Sequence, residues 1–186
     1  DNFNIKVKAL SRLELDITKS EDVASVLQRI GPKILINAAA YTAVDDAESQ
    51  SEIAFNVNRD AVETLAKNCA KFSIPLIHLS TDYVFDGTGD TPWRTSDEVA
   101  PQTAYGRSKL AGEIGIRASG ATHAILRTSW VVSAQGINFV KTILRLSETQ
   151  KTLKIVDDQG HVLPYGQEGE ITINGPGLMT GYLNVV

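Results

Sequence analysis

Short β-branched runs alternate with longer stretches of helical periodicity over the first 156 residues, and this alternation restricts the fold more than any other feature. Ile5 to Leu10, Ile34 to Ile36, Pro75 to Leu79, Ala124 to Leu126 and Leu153 to Val156 read as strands. Thr18 or Ser20 can cap a helix that buries Val23, Val26, Leu27 and Ile30 and stops at Gly31-Pro32. A second helix runs from about Asn58 to Phe72 with Ala61, Val62, Leu65 and Ala66 inward. A third follows Tyr105, with Leu110, Ala111 and Ile114 on one face, and a fourth follows Gly136, with Phe139, Val140, Ile143, Leu144 and Leu146. Strands joined through helices build a parallel sheet covered on both faces, so the expected class is α/β with a doubly wound parallel sheet. After about Asp157 the chain becomes rich in Gly and Pro around a short alternating run, Glu170-Ile171-Thr172-Ile173. That change predicts a domain over residues 1–156 and a short β-hairpin-like tail over 157–186.

At 186 residues, 42% of them apolar, the chain can close one sizeable core and is too short for two full enzyme domains. Its formal charge of −4 comes from interspersed signs, with no Lys/Arg block, which argues against a nucleic-acid partner. No apolar run approaches the roughly 20 residues that span a bilayer, and Asp1 to Lys8 are too polar for a secretory signal. The expectation is a cytoplasmic protein with no membrane partner and no metal site. The single cysteine, Cys69, sits among Ala66, Ala70 and Phe72 and reads as a packed residue.

The strongest local signal for chemistry is Tyr105-Gly106-Arg107-Ser108-Lys109 at the start of a helix. Residues four apart share a helix face. A phenol with an ordinary pKa of about 10 works near neutrality only if a nearby cation stabilises its phenolate, and Lys109 is placed to do so. Tyr and Lys at this spacing also occur on ordinary solvated helices. Context comes from Leu76-Ile77-His78-Leu79, which ends in Ser80-Thr81-Asp82, because doubly wound sheets place ligands at the carboxyl ends of their strands. A hydroxyl there can bond a carbonyl oxygen while a tyrosine protonates it; equally, such residues cap turns. Asn37-Ala38-Ala39-Ala40 at the end of the preceding strand lets a flat cofactor approach the backbone, or simply packs strand on helix.

Four ordered blocks identify a resemblance: Ile36 to Asp45, Ser80-Thr81-Asp82-Tyr83-Val84-Phe85-Asp86-Gly87, Tyr105 to Glu113, and Leu126-Arg127-Thr128-Ser129-Trp130-Val131. Over about Ala9 to Asp158 the chain resembles the dTDP-4-dehydrorhamnose reductase family of the extended short-chain dehydrogenase/reductases. The resemblance implies a Rossmann-like domain that reduces the 4-keto group of a dTDP-4-keto-6-deoxy sugar, for dTDP-rhamnose biosynthesis, with NADPH as hydride donor and NADH as the alternative. It implies Thr81, Tyr105 and Lys109 as catalytic residues. Cofactor contacts would come from Asp16 and Ile17 at the adenine, Ala38, Ala39 and Tyr41 along its path, and Lys109 at the ribose. Substrate contacts would come from Asp82, Tyr83, Val84 and Trp130, with Trp93 nearby, and the assembly would be a homodimer. Arg12 could fork onto a 2′-phosphate and favour NADPH, or be a surface arginine.

Two departures from the family pattern set further expectations. The family opens with a strand and glycine-rich turn whose N–H groups bind pyrophosphate; this chain resembles the family only from the second strand onward. A sheet lacking that first strand is therefore expected, with weak NADPH binding by the chain as it stands. From about 155 to 184 the residues instead resemble a fragment of the adenylate-forming (acyl-CoA ligase) superfamily, without its catalytic motifs, which suggests a composite joined near Asp157. Alternatives to a reductase are an epimerase or dehydratase using the same Tyr and Lys, a noncatalytic reductase-like regulatory module, and an engineered chimera without activity.

Overall fold

The computed structural model describes residues 6–88, 91–149, 155–156 and 170–171. It forms two compact units, Asp1–Ser129 and Trp130–Val186.

In the first unit three strands, β1 (Leu35–Asn37), β2 (Leu76–Thr81) and β3 (His123–Thr128), form a parallel sheet in the order β1-β2-β3. Leu35 pairs with Leu76 and Leu76 with His123, so residues at matching positions point to one face. Leu35, Leu76 and Ile125 on that face meet α1 (Ser20–Ile30), α4 (Ala61–Lys71) and α5 (Ala104–Ala118). Val23 and Leu27 from α1, Val62, Leu65, Ala66 and Cys69 from α4, and Ile116 from α5 complete the core. Truncating one of its large members, such as Leu65 or Leu76, typically costs about 2–5 kcal/mol. On the opposite face Ile36 is 64% exposed and Leu126 48%.

Periodicity located these helices well. The helix expected from about Asn58 to Phe72 is α4 preceded by one π-helical turn, Asn56–Asp60. That turn joins α4 to the short helices α2 (Asp46–Ser49) and α3 (Ser51–Phe55). Gly31 closes α1 at φ 55°, a left-handed backbone that suits glycine. The cap expected from Thr18 or Ser20 is not made: Lys19 holds the cap position without a side-chain bond, and the Thr18 hydroxyl instead donates to Asp16. Two other expectations need correction. Residues 6–10, read as the end of a strand from Ile5 to Leu10, form no strand, because no described strand runs beside them to supply a ladder. On α5 the apolar stripe Leu110, Ala111 and Ile114 is not the buried face. Ile114 is 58% exposed, while Tyr105, Ser108, Lys109, Gly112 and Glu113 are buried.

Gly112 permits the approach of α5 to the π-helical turn. A Cβ there would run into the backbone carbonyl oxygen of Asn58. Gly112→Ala is therefore expected to destabilise the fold by about 1–3 kcal/mol, the range for overpacking against an unyielding neighbour. Urea unfolding measures it, and a midpoint equal to that of the unchanged chain would refute the close contact.

The second unit contains α6 (Phe139–Thr149), whose start is capped by Asn138 Oδ1 accepting from the Lys141 amide at 3.1 Å. Trp130 meets Phe139 edge-on at 5.0 Å. Within the same unit β4 (Ile155–Val156), just before the expected tail, and β5 (Glu170–Ile171) pair antiparallel. Thr172 and Ile173 lie outside the described residues, as do Ile5, Leu153 and most of 157–186.

Candidate active site

The site grows from the first turn of α5. Thr103 caps it, its hydroxyl accepting from the Gly106 amide at 3.0 Å, and Glu48 Oε1 accepts from the Ala104 amide at 2.6 Å. The helix origin is thereby fixed by α2 as well as by its own cap. From there every fourth residue turns toward the sheet: Tyr105, Lys109 and Glu113.

Tyr105 reaches the carboxyl end of β2, where its phenol comes close enough to Thr81 for that hydroxyl to act on it. Burial pushes the phenol above its ordinary pKa, the nearby Thr81 hydroxyl opposes that, and Asp82 and Tyr83 add to the rise. Tyr83 packs edge-on against the ring at 5.6 Å. Thr81 ends the strand and starts a single 3₁₀ turn, Asp82–Val84. Its hydroxyl accepts from the Tyr83 amide at 3.2 Å and bonds Asp82 Oδ1 at 3.1 Å. Thr81 therefore caps the turn, and its side chain stands at the carboxyl end of the strand.

Lys109 is 2% exposed. Its Nζ donates to the Leu79 carbonyl oxygen at 2.7 Å and lies 3.3 Å from His78 Nε2. Burial brings its pKa down to about 8, against an opposing pull from Glu113. The Lys109 amine is turned to β2 by its bond to the Leu79 carbonyl oxygen. Sharing a helix face fixes direction, not where a long side chain ends.

Below the lysine lies a buried polar layer. His78 is fully buried, and burial first, then Lys109, holds its imidazole down to about 3, so the ring is neutral. Asn37 Nδ2 lies 3.1 Å from His78 Nδ1, and Asn37 Oδ1 accepts from the Ala39 amide at 3.1 Å. Glu113, also fully buried, accepts from Ser80 Oγ at 2.6 Å, from Arg127 Nε and Nη2 at 3.0 and 2.7 Å, and from Arg117 at 2.9 Å. Burial alone would raise its carboxyl; the bonds from Arg127, Ser80 and Arg117 outweigh that and leave it below the ordinary carboxylate value.

Asn58 connects this site to the loop after β1. Its Oδ1 accepts from the Tyr41 amide at 2.9 Å, while Nδ2 donates to the Tyr41 carbonyl at 3.0 Å and to Ser108 Oγ at 2.9 Å. Ser108 in turn donates to the Tyr105 carbonyl at 2.7 Å. Sequence reading gave no role to Asn58, His78 or Glu113. The available signals were the lone polar residue inside Leu76-Ile77-His78-Leu79 and the continuation of the four-residue spacing to 113.

Other expected site residues are placed as follows. Ala38 and Ala39 are exposed at the carboxyl end of β1, with half-buried Tyr41 beyond them. Arg12 is 82% exposed and lies 3.5 Å from Asp16, whose other oxygen takes the Thr18 amide and hydroxyl; Ile17 is half-buried. Asp82 and Tyr83 are half-buried beside Thr81. Val84 is fully buried. Trp93 stacks on Phe85 at 4.5 Å. Trp130 is half exposed and belongs to the second unit. Among the described residues no cluster of His, Cys, Asp or Glu could hold a metal, and no helix is long and apolar enough to cross a membrane. Cys69 is fully buried and burial pushes its thiol up to about 11. A thiol-alkylating reagent is expected to leave it unmodified in the folded chain and to react fully once urea unfolds it; rapid modification of native protein would contradict its burial.

A parallel sheet with a Tyr-x-x-x-Lys helix, and a hydroxyl at the end of the adjoining strand, defines the short-chain dehydrogenase/reductase class. Residues 1–164 match the RmlD substrate binding domain, and the chain belongs to that family. It is 47% identical over 156 residues to the dTDP-4-dehydrorhamnose reductase of Sinorhizobium fredii, covering 84% of this chain and 53% of that one. To the Salmonella typhimurium reductase it is 43% identical over 153 residues, covering 82% and 51%. The crystal structure of a dTDP-4-dehydrorhamnose reductase from Clostridium acetobutylicum superposes with a TM-score of 0.79 at 38% identity, over 84% of this chain and 56% of that one. The Bacillus anthracis reductase, solved in complex with NADP, gives a TM-score of 0.79 at 35% identity, over 82% and 54%. The chain spans about half the length of the curated relatives it matches. The family match runs without a break across Asp157 to residue 164, so a composite joined at that point is not borne out.

Proposed function

We propose that this chain carries the catalytic residues of an NADPH-dependent reductase acting on the 4-keto group of a dTDP-4-keto-6-deoxy sugar, the reaction of dTDP-rhamnose biosynthesis. The observation that carries this reading is the meeting of Tyr105 and Thr81 at the carboxyl end of β2, one helical turn from Lys109. The names of its relatives, and the NADP held by the Bacillus anthracis reductase, support the choice of cofactor and substrate.

The residues present fit a dinucleotide. Ala38 and Ala39 end β1 exposed, with no side chain beyond Cβ to block a flat ring, and Asn58 holds the backbone of Tyr41 beside them. When bound, NADPH supplies hydride to the carbonyl carbon. Tyr105 and Thr81 then converge on one carbonyl oxygen, Thr81 by hydrogen bond and Tyr105 by proton donation. The raised pKa of Tyr105 keeps the phenol protonated at neutral pH, the form a proton donor needs. Asp82 and Tyr83, beside Thr81, would position the sugar. Lys109 would reach the nicotinamide ribose after leaving its bond to Leu79.

NADPH consumption with the dTDP-4-keto-6-deoxy sugar, followed by product analysis, tests the reading. It is measured for the chain alone and for the chain carrying a reductase-type strand, glycine-rich turn and helix at its N-terminus. Formation of the 4-hydroxy sugar supports a reductase. An epimerised or dehydrated product, or none from the extended chain, rejects it.

A further inference from the structure

The hydrogen bonds around His78 specify where its proton sits. Asn37 Oδ1 is occupied by the Ala39 amide, so the side of Asn37 facing His78 is its NH₂ group. His78 Nδ1 must therefore accept, and in a neutral ring the hydrogen is then on Nε2. That N–H points at Lys109 Nζ, 3.3 Å away, and can be received only by an amine with a free lone pair. A neutral lysine satisfies both its contacts, donating to Leu79 O and accepting from His78. A charged lysine has three donors and no acceptor, and would meet a donor head-on.

We propose that His78 is a positioning residue that couples the charge of Lys109 to Asn37 and the turn at Ala39. When Lys109 takes up one proton from solvent, the Nε2 of His78 becomes an acceptor and its hydrogen appears on Nδ1. The ring stays neutral, and the net change is one proton bound. Nδ1–H then needs an acceptor, which Asn37 supplies by turning its amide, and this removes the acceptor of the Ala39 N–H. The relay thus runs from the helix that carries Tyr105 to the exposed end of β1. Its role in cofactor placement rests on the reductase reading; the coupling itself does not.

The groups facing this relay are few. From α5 they are Glu113, held by Arg117 and Arg127, and Tyr105; from β2, His78 itself and Ser80; from β3, Arg127 acting through Glu113; from the turn after β2, Asp82 and Tyr83, which act on the phenol. Burial lowers the Lys109 pKa to about 8, so the amine keeps its proton at neutral pH and the change of charge that drives the relay falls near pH 8.

Nitrogen-15 NMR of the imidazole reads the tautomer directly and needs no turnover. The chain contains 3 histidines, so His123→Gln and His161→Gln leave His78 as the only signal. The expected result is the Nε2–H form above the titration of Lys109 and the Nδ1–H form below it, with the Ala39 amide resonance moving at the same midpoint. In Asn37→Ala the Ala39 shift should no longer follow that titration, while the backbone spectrum stays folded. One tautomer on both sides, a ring that becomes charged near its ordinary value, or an Ala39 amide that ignores the lysine would each overturn the relay. If the relay is seen and no sugar is reduced, only the reductase reading fails.

Discussion

Tyr105→Phe is expected to lower turnover about 10²–10⁴-fold, the usual worth of a positioned general acid, while leaving cofactor affinity nearly unchanged. The phenol occupies the end of β2 with Thr81, and as the proposed acid it would act only as charge develops on the substrate oxygen. Removing an interaction made only in the transition state lowers kcat and kcat/KM together. Steady-state kinetics and a separate cofactor titration on the extended chain check both halves. Comparable turnover in the two proteins would exclude Tyr105 as the acid; a large loss of cofactor affinity would mean that it positions the cofactor instead.

The second large effect is on stability. Glu113→Ala is expected to destabilise the fold by about 3–5 kcal/mol, because it leaves Arg127 and Ser80 facing a buried space with no acceptor. Glu113→Leu with Arg127→Met should recover much of that loss, since an apolar pair of similar volume needs no partner. The network also predicts the direction of pH dependence. The Glu113 carboxyl is held below its ordinary value of 4.5, so its contribution is present in full above that pH and disappears as pH falls through the lower, folded value. His78, held neutral down to about 3 against an ordinary 6.5, acts in the same sense. Below 6.5 the unfolded chain takes up a proton that the native ring refuses, so stability falls between 6.5 and about 3. Urea midpoints that do not decline from neutral pH to mild acid, or that are unchanged in Glu113→Ala, would contradict this.

Much of the scaffold was legible because its signals are local. The spacing of Val23, Val26 and Leu27 located α1, and Val62, Leu65 and Ala66 located α4, because each repeats an apolar face over several turns. Helices α2 and α3 are one turn each, too short for any period to register, and nothing in Asn56 to Asp60 marks a π-helical turn. Thr81 and Tyr105 stand at the end of β2 and the start of α5, where their motifs locate them, but α5 defeated periodicity. Its buried side carries Ser108, Lys109 and Glu113, so the apolar stripe at Leu110 and Ile114 pointed away from the core. The destination of Lys109 was illegible for a related reason. His78 and the Leu79 carbonyl lie about 30 residues earlier in the chain, and a shared helix face says nothing about them.

Asn58 has a consequence for which sequences can encode this site. Its side-chain amide meets the N–H and the C=O of Tyr41 at once, copying the pair of bonds that one peptide makes to another across an antiparallel bridge. One residue type thus stands in for an entire neighbouring strand. Aspartate has the acceptor but not the donor, and glutamine carries both a methylene too far out. The backbone at Tyr41 is accordingly held by one side chain 17 residues further on, and no other residue type offers both the donor and the acceptor at that reach.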